Sequence, residues 1–324
     1  MIHPGRSIAS PLQNQKGLAL LLVLLVITLL VAMVVEFDYK TRIDLRAAGN
    51  LRDGLQATYL AKAGIAAAQA TLKDDQKRNS TTNLTAIWAM PLPPLPLGEG
   101  TVSVQITDEA SKFNINNLVT QSIPHKIVPS SVNEAKQLFT LVQVDPNLVD
   151  AIVDWVDTDN EPTGSFGAEE DYYQSLPKPY HCKNNTMDLL SELHLIKGIT
   201  DEVYNKISPY LTVSSSGATN INTAGPIVLQ TLFPSLDATQ IKNLVDHRPF
   251  QSLGVDIIGP LIGGQQAYSL VVSPLINQTP TLLTVKSDIF LVEARGRAHD
   301  IEKTVRALID RSGSVVRIKN WRVE

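Results

Sequence analysis

The chain of 324 residues has a single cysteine, Cys182, so no intrachain disulfide can form. A lone thiol in an exported protein is either buried and inert or paired between chains, and free cysteines are usually buried. We therefore expect Cys182 to be inert. The sequence also lacks H-E-x-x-H, G-x-S-x-G and a P-loop, the local signatures of zinc hydrolysis, serine hydrolysis and phosphate cradling. Its six histidines are scattered, and His181 and Cys182 are adjacent, a spacing that rarely lets two side chains meet. These absences argue against an enzyme. A net charge of −4 provides no global basic field to recruit nucleic acid.

Acid is also missing from the start of the chain: Glu36 is the first carboxylate, whereas Arg6 and Lys16 precede an uncharged apolar run at residues 18–35. That run is long enough to cross a bilayer as a helix. A secretory signal would place a small-residue cleavage site after it, but Glu36, Phe37, Asp38, Tyr39 and Lys40 follow. The processing point is therefore expected before the apolar run, which stays as an N-terminal anchor. The basic flank predicts a cytoplasmic N-terminus, with the rest of the chain across that membrane. This arrangement resembles type IV pilin-like proteins.

Beyond the anchor, residues 37–72 contain no proline, and Leu51, Leu55, Tyr59, Ala63, Ala66 and Ala70 recur at helical spacing. One continuous helix is predicted. The alanine-rich stretch 61–70 would allow a close helix approach. Residues 79–83 and Pro91-Leu92-Pro93-Pro94-Leu95-Pro96 read as loops. Thr101-Val102-Ser103-Val104-Gln105-Ile106-Thr107 alternates as a half-buried strand does. About 170 residues of helical character follow. Strand-like segments then return at 288–298, 302–310 and 314–323, broken by Ala298-His299-Asp300 and Ser312-Gly313 as turns. The strand near 101 should pair with this terminal meander. The layout is α+β: a pilin-like long helix on an antiparallel sheet, with a large all-α insertion.

The insertion carries an internal echo. Phe113-Asn114-Ile115-Asn116 and Thr219-Asn220-Ile221-Asn222 share N-I-N, and each is followed by two helical segments and a leucine-led turn, at Glu192-Leu193 and Ser252-Leu253. Two small related bundles are expected, and they resemble helix-hairpin-helix (SAM-like) modules. The predicted organisation is a leader at 1–17, a membrane half-helix at 18–36, and the soluble helix, loop and first strand at 37–108. The insertion spans 109–280 (units 109–213 and 214–280), and terminal strands fill 281–324.

The leader, Gly17 and apolar helix resemble class III signal peptides, which a prepilin peptidase cuts after the glycine before methylating the new N-terminus. Carried over, the scissile bond is Gly17–Leu18 and Leu18 receives the methyl group. Pilins usually carry glutamate at the fifth mature position; here it is Leu22. That departure points to the minor pseudopilin K (GspK) family of type II secretion systems. Asp154-Trp155-Val156-Asp157-Thr158-Asp159 followed by Gly167-Ala168-Glu169-Glu170-Asp171-Tyr172-Tyr173 resembles that family's D-W-x-D-x-D and G-A-E-x-x-Y-Y. Ser191-Glu192-Leu193, Lys197-Gly198-Ile199 and Pro209-Tyr210-Leu211-Thr212 match its tail. The resemblance runs from Gln15 to about Ala298. It implies a tip-capping subunit of a periplasmic pseudopilus in the bacterial inner membrane. The implied partners are minor pseudopilins of the I and J type, the major pseudopilin and the prepilin peptidase, with contacts to the outer-membrane secretin and secreted proteins. A carboxylate in a bilayer is costly unless paired, and a terminal subunit lacks one neighbour, so leucine suits the tip.

Asp154, Asp157, Asp159, Glu161, Glu169, Glu170 and Asp171 fall within eighteen residues. Their spacing is not that of an EF-hand. A solvated acidic loop would explain such a run, but charges this dense repel without a cation, and the resemblance implies calcium in the helical domain. Asp157, Asp159, Glu169 and Asp171 are the preferred calcium ligands, with Asp154, Glu161 and Glu170 in reserve. The alternative is a DNA-uptake or type IV pilus-like minor pilin whose helix-hairpin-helix units grip phosphate. The hairpins at Lys197-Gly198-Ile199-Thr200 and Phe233-Pro234-Ser235-Leu236 carry an incomplete glycine pattern and none, and the acidic run would repel DNA.

Overall fold

The computed structural model describes residues 15–253 and 283–324. Arg6 of the leader and the turn expected from Gly254 onward lie outside the described residues. Helix α1 (Gln15–Arg78) runs unbroken for 64 residues, roughly 95 Å at the usual rise. Its apolar first part is fully exposed, as a membrane span is when lipid is absent.

The soluble half of α1 turns to the sheet a face other than the expected stripe from Leu51 to Ala70. Ala57, Leu60, Ala61, Ile65, Ala68 and Leu72 are buried, whereas Leu51, Leu55, Tyr59, Ala63, Ala66 and Ala70 are exposed. The reason is closeness of approach. A Cβ on Gly64 would lie 2.9 Å from Val102 and Val104 and 3.0 Å from Ala294. One on Gly296 would stand 2.5 Å from the Ala61 amide nitrogen. Glycines and alanines on both surfaces let helix and sheet meet at backbone distance, with Leu60, Ile65 and Leu72 packed around them and Leu51, Leu55 and Tyr59 left outside.

The sheet has the order β1-β2-β7-β8-β9: β1 (Leu95–Leu97), β2 (Gly100–Asp108), β7 (Ile289–Ala298), β8 (Ile301–Asp310) and β9 (Arg317–Val323). All pairs are antiparallel. β2 pairs with β7 from Gly100↔Ala298 to Asp108↔Phe290, the pairing expected from the alternation near 101. His299 and Asp300 form the tight turn, with His299 at φ +51°. The proline-rich segment read as loop supplies β1. Pro96 is tolerated there because an edge strand has one side free of ladder bonds.

The described residues between β2 and β7 leave from one end of the sheet. The Gly100 and Ala298 end lies beside Leu60 of α1. At the opposite end Arg311 donates to the Leu72 carbonyl at 3.3 Å and to Asp75 at 2.7 Å. The insertion therefore sits at the end of the rod farthest from the membrane segment. A buried polar junction fastens it. Asp108 Oδ2 accepts from Thr223 and Ser287, both at 2.6 Å, and from Asn220 at 3.3 Å. Arg311 also reaches Thr82 and the Ser287 carbonyl.

The insertion is two units with separate apolar cores. The first holds β3 (Phe113–Asn114), α2 (Pro129–Leu141), α3 (Leu148–Val156), α4 (Glu170–Gln174), α5 (Asp201–Ile207) and β4 (Leu211–Thr212). The second holds β5 (Thr219–Asn220), α6 (Pro226–Leu232), α7 (Ala238–Asp246) and β6 (Leu283–Thr284). The stretch expected to be helical throughout thus contains three two-residue strands, β3, β4 and β5, with β6 just beyond it. Each unit is closed by a parallel pair, β3 with β4 and β5 with β6.

The N-I-N echo has one physical meaning in both places. Asn114 and Asn220 accept the amide two residues on, at 3.0 and 2.9 Å. Asn116 then clamps both backbone groups of Met187, and Asn222 both groups of Phe250. The closing strands echo too. Leu211-Thr212-Val213-Ser214-Ser215 and Leu283-Thr284-Val285-Lys286-Ser287 each place a threonine hydroxyl 3.0 Å from the amide two residues later. That second repeat was legible in the sequence but not among the predicted echoes.

Candidate functional site

The acidic run divides once folded. Helix α3 is apolar on nearly every side, so its acids are carried into the interior of the first unit. Asp150, Asp154 and Asp157 recur at four and three residues, one stripe of the helix, and all three are buried. The segment 163–169 lies over this stripe. Asp154 holds it there, accepting the Thr163 amide at 2.9 Å and the Ala168 amide at 2.6 Å. Two glycines make the approach possible. Gly167 faces Asp154, where a Cβ would come to 2.5 Å, and Gly164, at φ +60°, sits directly over Asp150.

The segment delivers Glu169, buried at the N-terminus of α4, to the free end of the stripe. Asp154, Asp157 and Glu169 place carboxylate oxygens within 4.8 Å of one another. Neither oxygen of Asp157 or Glu169 accepts a hydrogen bond. Such groups normally have partners, and buried carboxylates without them are costly. Burial pushes Asp157 up to about 7, helped by Asp159 and Asp154. Burial pushes Glu169 up to about 8, with Asp154 and Asp157 adding to it. Asp154 is also raised by burial, against the pull of its hydrogen bonds.

The other predicted ligands are elsewhere. Asp159, Glu161 and Asp171 are exposed, and Asp159 caps its own turn by accepting the Glu161 amide. Glu170 is engaged with the Cys182 amide at 2.8 Å and His181 Nδ1 at 2.6 Å, and these contacts hold it below the usual carboxylate range. Glu170 and Asp171 do line, together with Glu169, a cavity of about 410 Å³. Asp150 was missed, although its helical spacing from Asp154 was visible. It is met by Lys136 at 2.7 Å.

Cys182 is buried, as expected, and its thiol points to the Asp154 carbonyl at 3.4 Å. Burial pushes it up to about 12, so it is protonated near neutral pH, and it is not among the side chains whose ligand atoms converge. The donor set is oxygen only, the chemistry of a hard divalent cation. The orphaned oxygens of Asp157 and Glu169 fit such an ion, with Asp154 behind them.

The family description "Type II secretion system (T2SS), protein K" fits residues 111–216, the unit that carries these carboxylates. The type II secretion system protein K of Pseudomonas aeruginosa is 30% identical over 248 residues, covering 73% of each chain. The chain belongs to the type II secretion system protein K family. The Aeromonas hydrophila member is 31% identical over 257 residues, covering 73% of this chain and 77% of that protein. The Pectobacterium carotovorum member is 28% identical over 320 residues, with 94% and 95% covered. A chain from the crystal structure of the GspK-GspI-GspJ complex of enterotoxigenic Escherichia coli shares the fold, with a TM-score of 0.70 at 20% identity. That match covers 87% of this chain and 99% of that one. Membership identifies a minor pseudopilin of protein secretion, and among the described residues one helix is long and apolar enough to cross a membrane. Of the two functions the sequence left open, it favours secretion over DNA uptake.

Proposed function

We propose that this protein caps the distal end of a periplasmic pseudopilus and promotes its assembly for export of folded proteins. The observation that supports this most directly is the position of the insertion. It leaves the sheet beside Leu72 and Asp75, at the far end of α1 from the apolar run. Filament subunits stack along their long helices, and a two-unit domain at that end obstructs a further subunit above. Leu22, where a filament subunit carries glutamate, agrees with a place that lacks one neighbour. Partners of the I and J type fit the composition of the related GspK-GspI-GspJ complex, and the exposed stripe Leu51, Leu55 and Tyr59 offers α1 a surface for them.

In this reading the N-terminus is cytoplasmic and the folded part periplasmic. Prepilin peptidase cuts Gly17–Leu18, Leu18 is methylated, and the major pseudopilin adds below. The role is positional, without bond chemistry, and its outer contacts are the secretin and secreted proteins. Asp157 and Glu169, with Asp154 behind them, would hold calcium, which would supply the positive charge these buried carboxylates lack. Gold labelling of the insertion on sheared pseudopili tests the placement. Label at one end is expected; label along the length overturns it. Sequencing the mature N-terminus should begin at methyl-Leu18.

A further inference from the structure

Lys197 lies just before the hairpin glycine of the first unit, and its ammonium group meets no carboxylate among the described residues. It donates instead to the Phe166 carbonyl at 3.3 Å and the Gly167 carbonyl at 3.2 Å. The same nitrogen stands 4.6 Å from the centre of the Phe166 ring and 5.0 Å from that of Tyr172. Two adjacent loop carbonyls and two ring faces form a cation site of the protein's own making. Its carbonyls are the kind of ligand that calcium loops present. The turn that delivers Lys197 is tightly seated. Gly198 has φ +79°, and a Cβ there would lie 2.5 Å from Leu148 of α3 and 2.9 Å from Phe166. The lysine therefore ties the acidic segment to the hairpin, while Asp154 ties it to α3.

We propose that Lys197 is a positioning residue for the metal loop: its ammonium, held by Phe166, Gly167 and Tyr172, keeps residues 163–169 in their binding arrangement before calcium arrives. This rests on the calcium reading above. Without that anchor the Phe166 and Gly167 carbonyls lose their partner, and the segment relaxes two residues from Glu169. Calcium would then have to order the loop as it binds, which lowers affinity. The opposite sign is the competing outcome. If Lys197 acted only as a nearby positive charge, removing it would tighten calcium binding.

Calorimetry on the full chain in detergent, stripped with chelator and titrated with calcium, decides between these. Lys197→Met should bind calcium roughly 10- to 100-fold more weakly, the usual cost of losing a group that orients ligands. Lys197→Arg, which keeps the charge and can stack on the rings, should recover most of the loss, and Glu169→Gln should bind none. Hydrogen exchange without calcium adds a second readout: the amides of Thr163, Gly167 and Ala168 should exchange faster in Lys197→Met. Should that variant fail to fold, Tyr172→Leu removes one ring face, leaves the charge in place, and should shift both readouts the same way. Wild-type affinity and exchange in these variants, or tighter binding, overturns the role of Lys197 while the calcium site stands. A wild-type chain that binds no calcium overturns both.

Discussion

Oδ2 of Asp154 accepts the amide of Ala168 at 2.6 Å, and the neighbouring Gly167 is so near that a Cβ there would stand 2.5 Å from the same oxygen. A carboxylate on a helix and a glycine thirteen residues later thus define the height at which the acidic segment crosses α3.

Gly167→Ala should therefore push the segment off Asp154 and weaken both the fold and the site. Overpacking of this kind costs about 1–3 kcal/mol. A fall in the melting temperature of the full chain, with a weaker upward shift on adding calcium, is the expected pair of results. An unchanged melting temperature would show that the segment has slack the structure does not reveal.

Stability without metal should depend on pH in an unusual direction. In the unfolded chain Asp157 and Glu169 lose their protons near the ordinary values of 3.8 and 4.5, but in the folded chain only at about 7 and about 8. Between those limits the native state holds protons that the unfolded state has released, so stability falls as pH rises. In chelator the melting temperature should drop from pH 5 to pH 8. Calcium should flatten that slope, because the ion replaces the protons. Asp157→Asn combined with Glu169→Gln should flatten it with no metal present; persistence of the slope in that variant would assign it to other groups.

The two asparagine clamps should behave alike. Asn116→Ala leaves both backbone groups of Met187 without partners, and Asn222→Ala does the same to Phe250. Unpaired buried groups cost about 1–3 kcal/mol each. Since each clamp serves its own core, denaturant titration of the double variant should show losses that add. A double variant no worse than either single one would mean that the two clamps are energetically coupled and do not act independently.

Arg311 is the heaviest single commitment in the pilin-like part. It is buried, pairs with Asp75 at 2.7 Å, bonds three further oxygens and lies 4.5 Å over the Phe290 ring. Arg311→Met leaves Asp75 charged and unpaired, a loss of about 3–5 kcal/mol. Protease sensitivity at the junction of sheet and insertion should rise first. Asp75→Asn together with Arg311→Met should recover part of the loss, because no buried charge is then left alone.

Much of this protein is written in local pattern. An uncharged run of membrane length, alternation at 101–107 and 288–310, and the N-I-N echo each depend on neighbours a few residues apart, so helix, sheet and paired units were readable in order. The acidic run was readable as a cluster too, and of the four residues preferred within it the fold buries Asp157 and Glu169 and leaves Asp159 and Asp171 exposed. What local pattern could not sort was which carboxylates go in. Asp159 and Asp171 look equivalent to Asp157 by spacing, yet Asp157 is the buried C-cap of α3, whereas Asp159 lies in the exposed turn beyond it and Asp171 on the exposed side of α4.

The sequence by itself determined the elements and their order, because periodicity and turn chemistry act over a turn or two of chain. Tertiary structure decided which face of α1 meets the sheet and which three carboxylates converge. Both depend on how closely backbones approach, and that is set by glycines brought against residues beyond their local turn: Gly64 against Ala294, Gly296 against Ala61, and Gly167 against the carboxylate of Asp154, thirteen residues earlier.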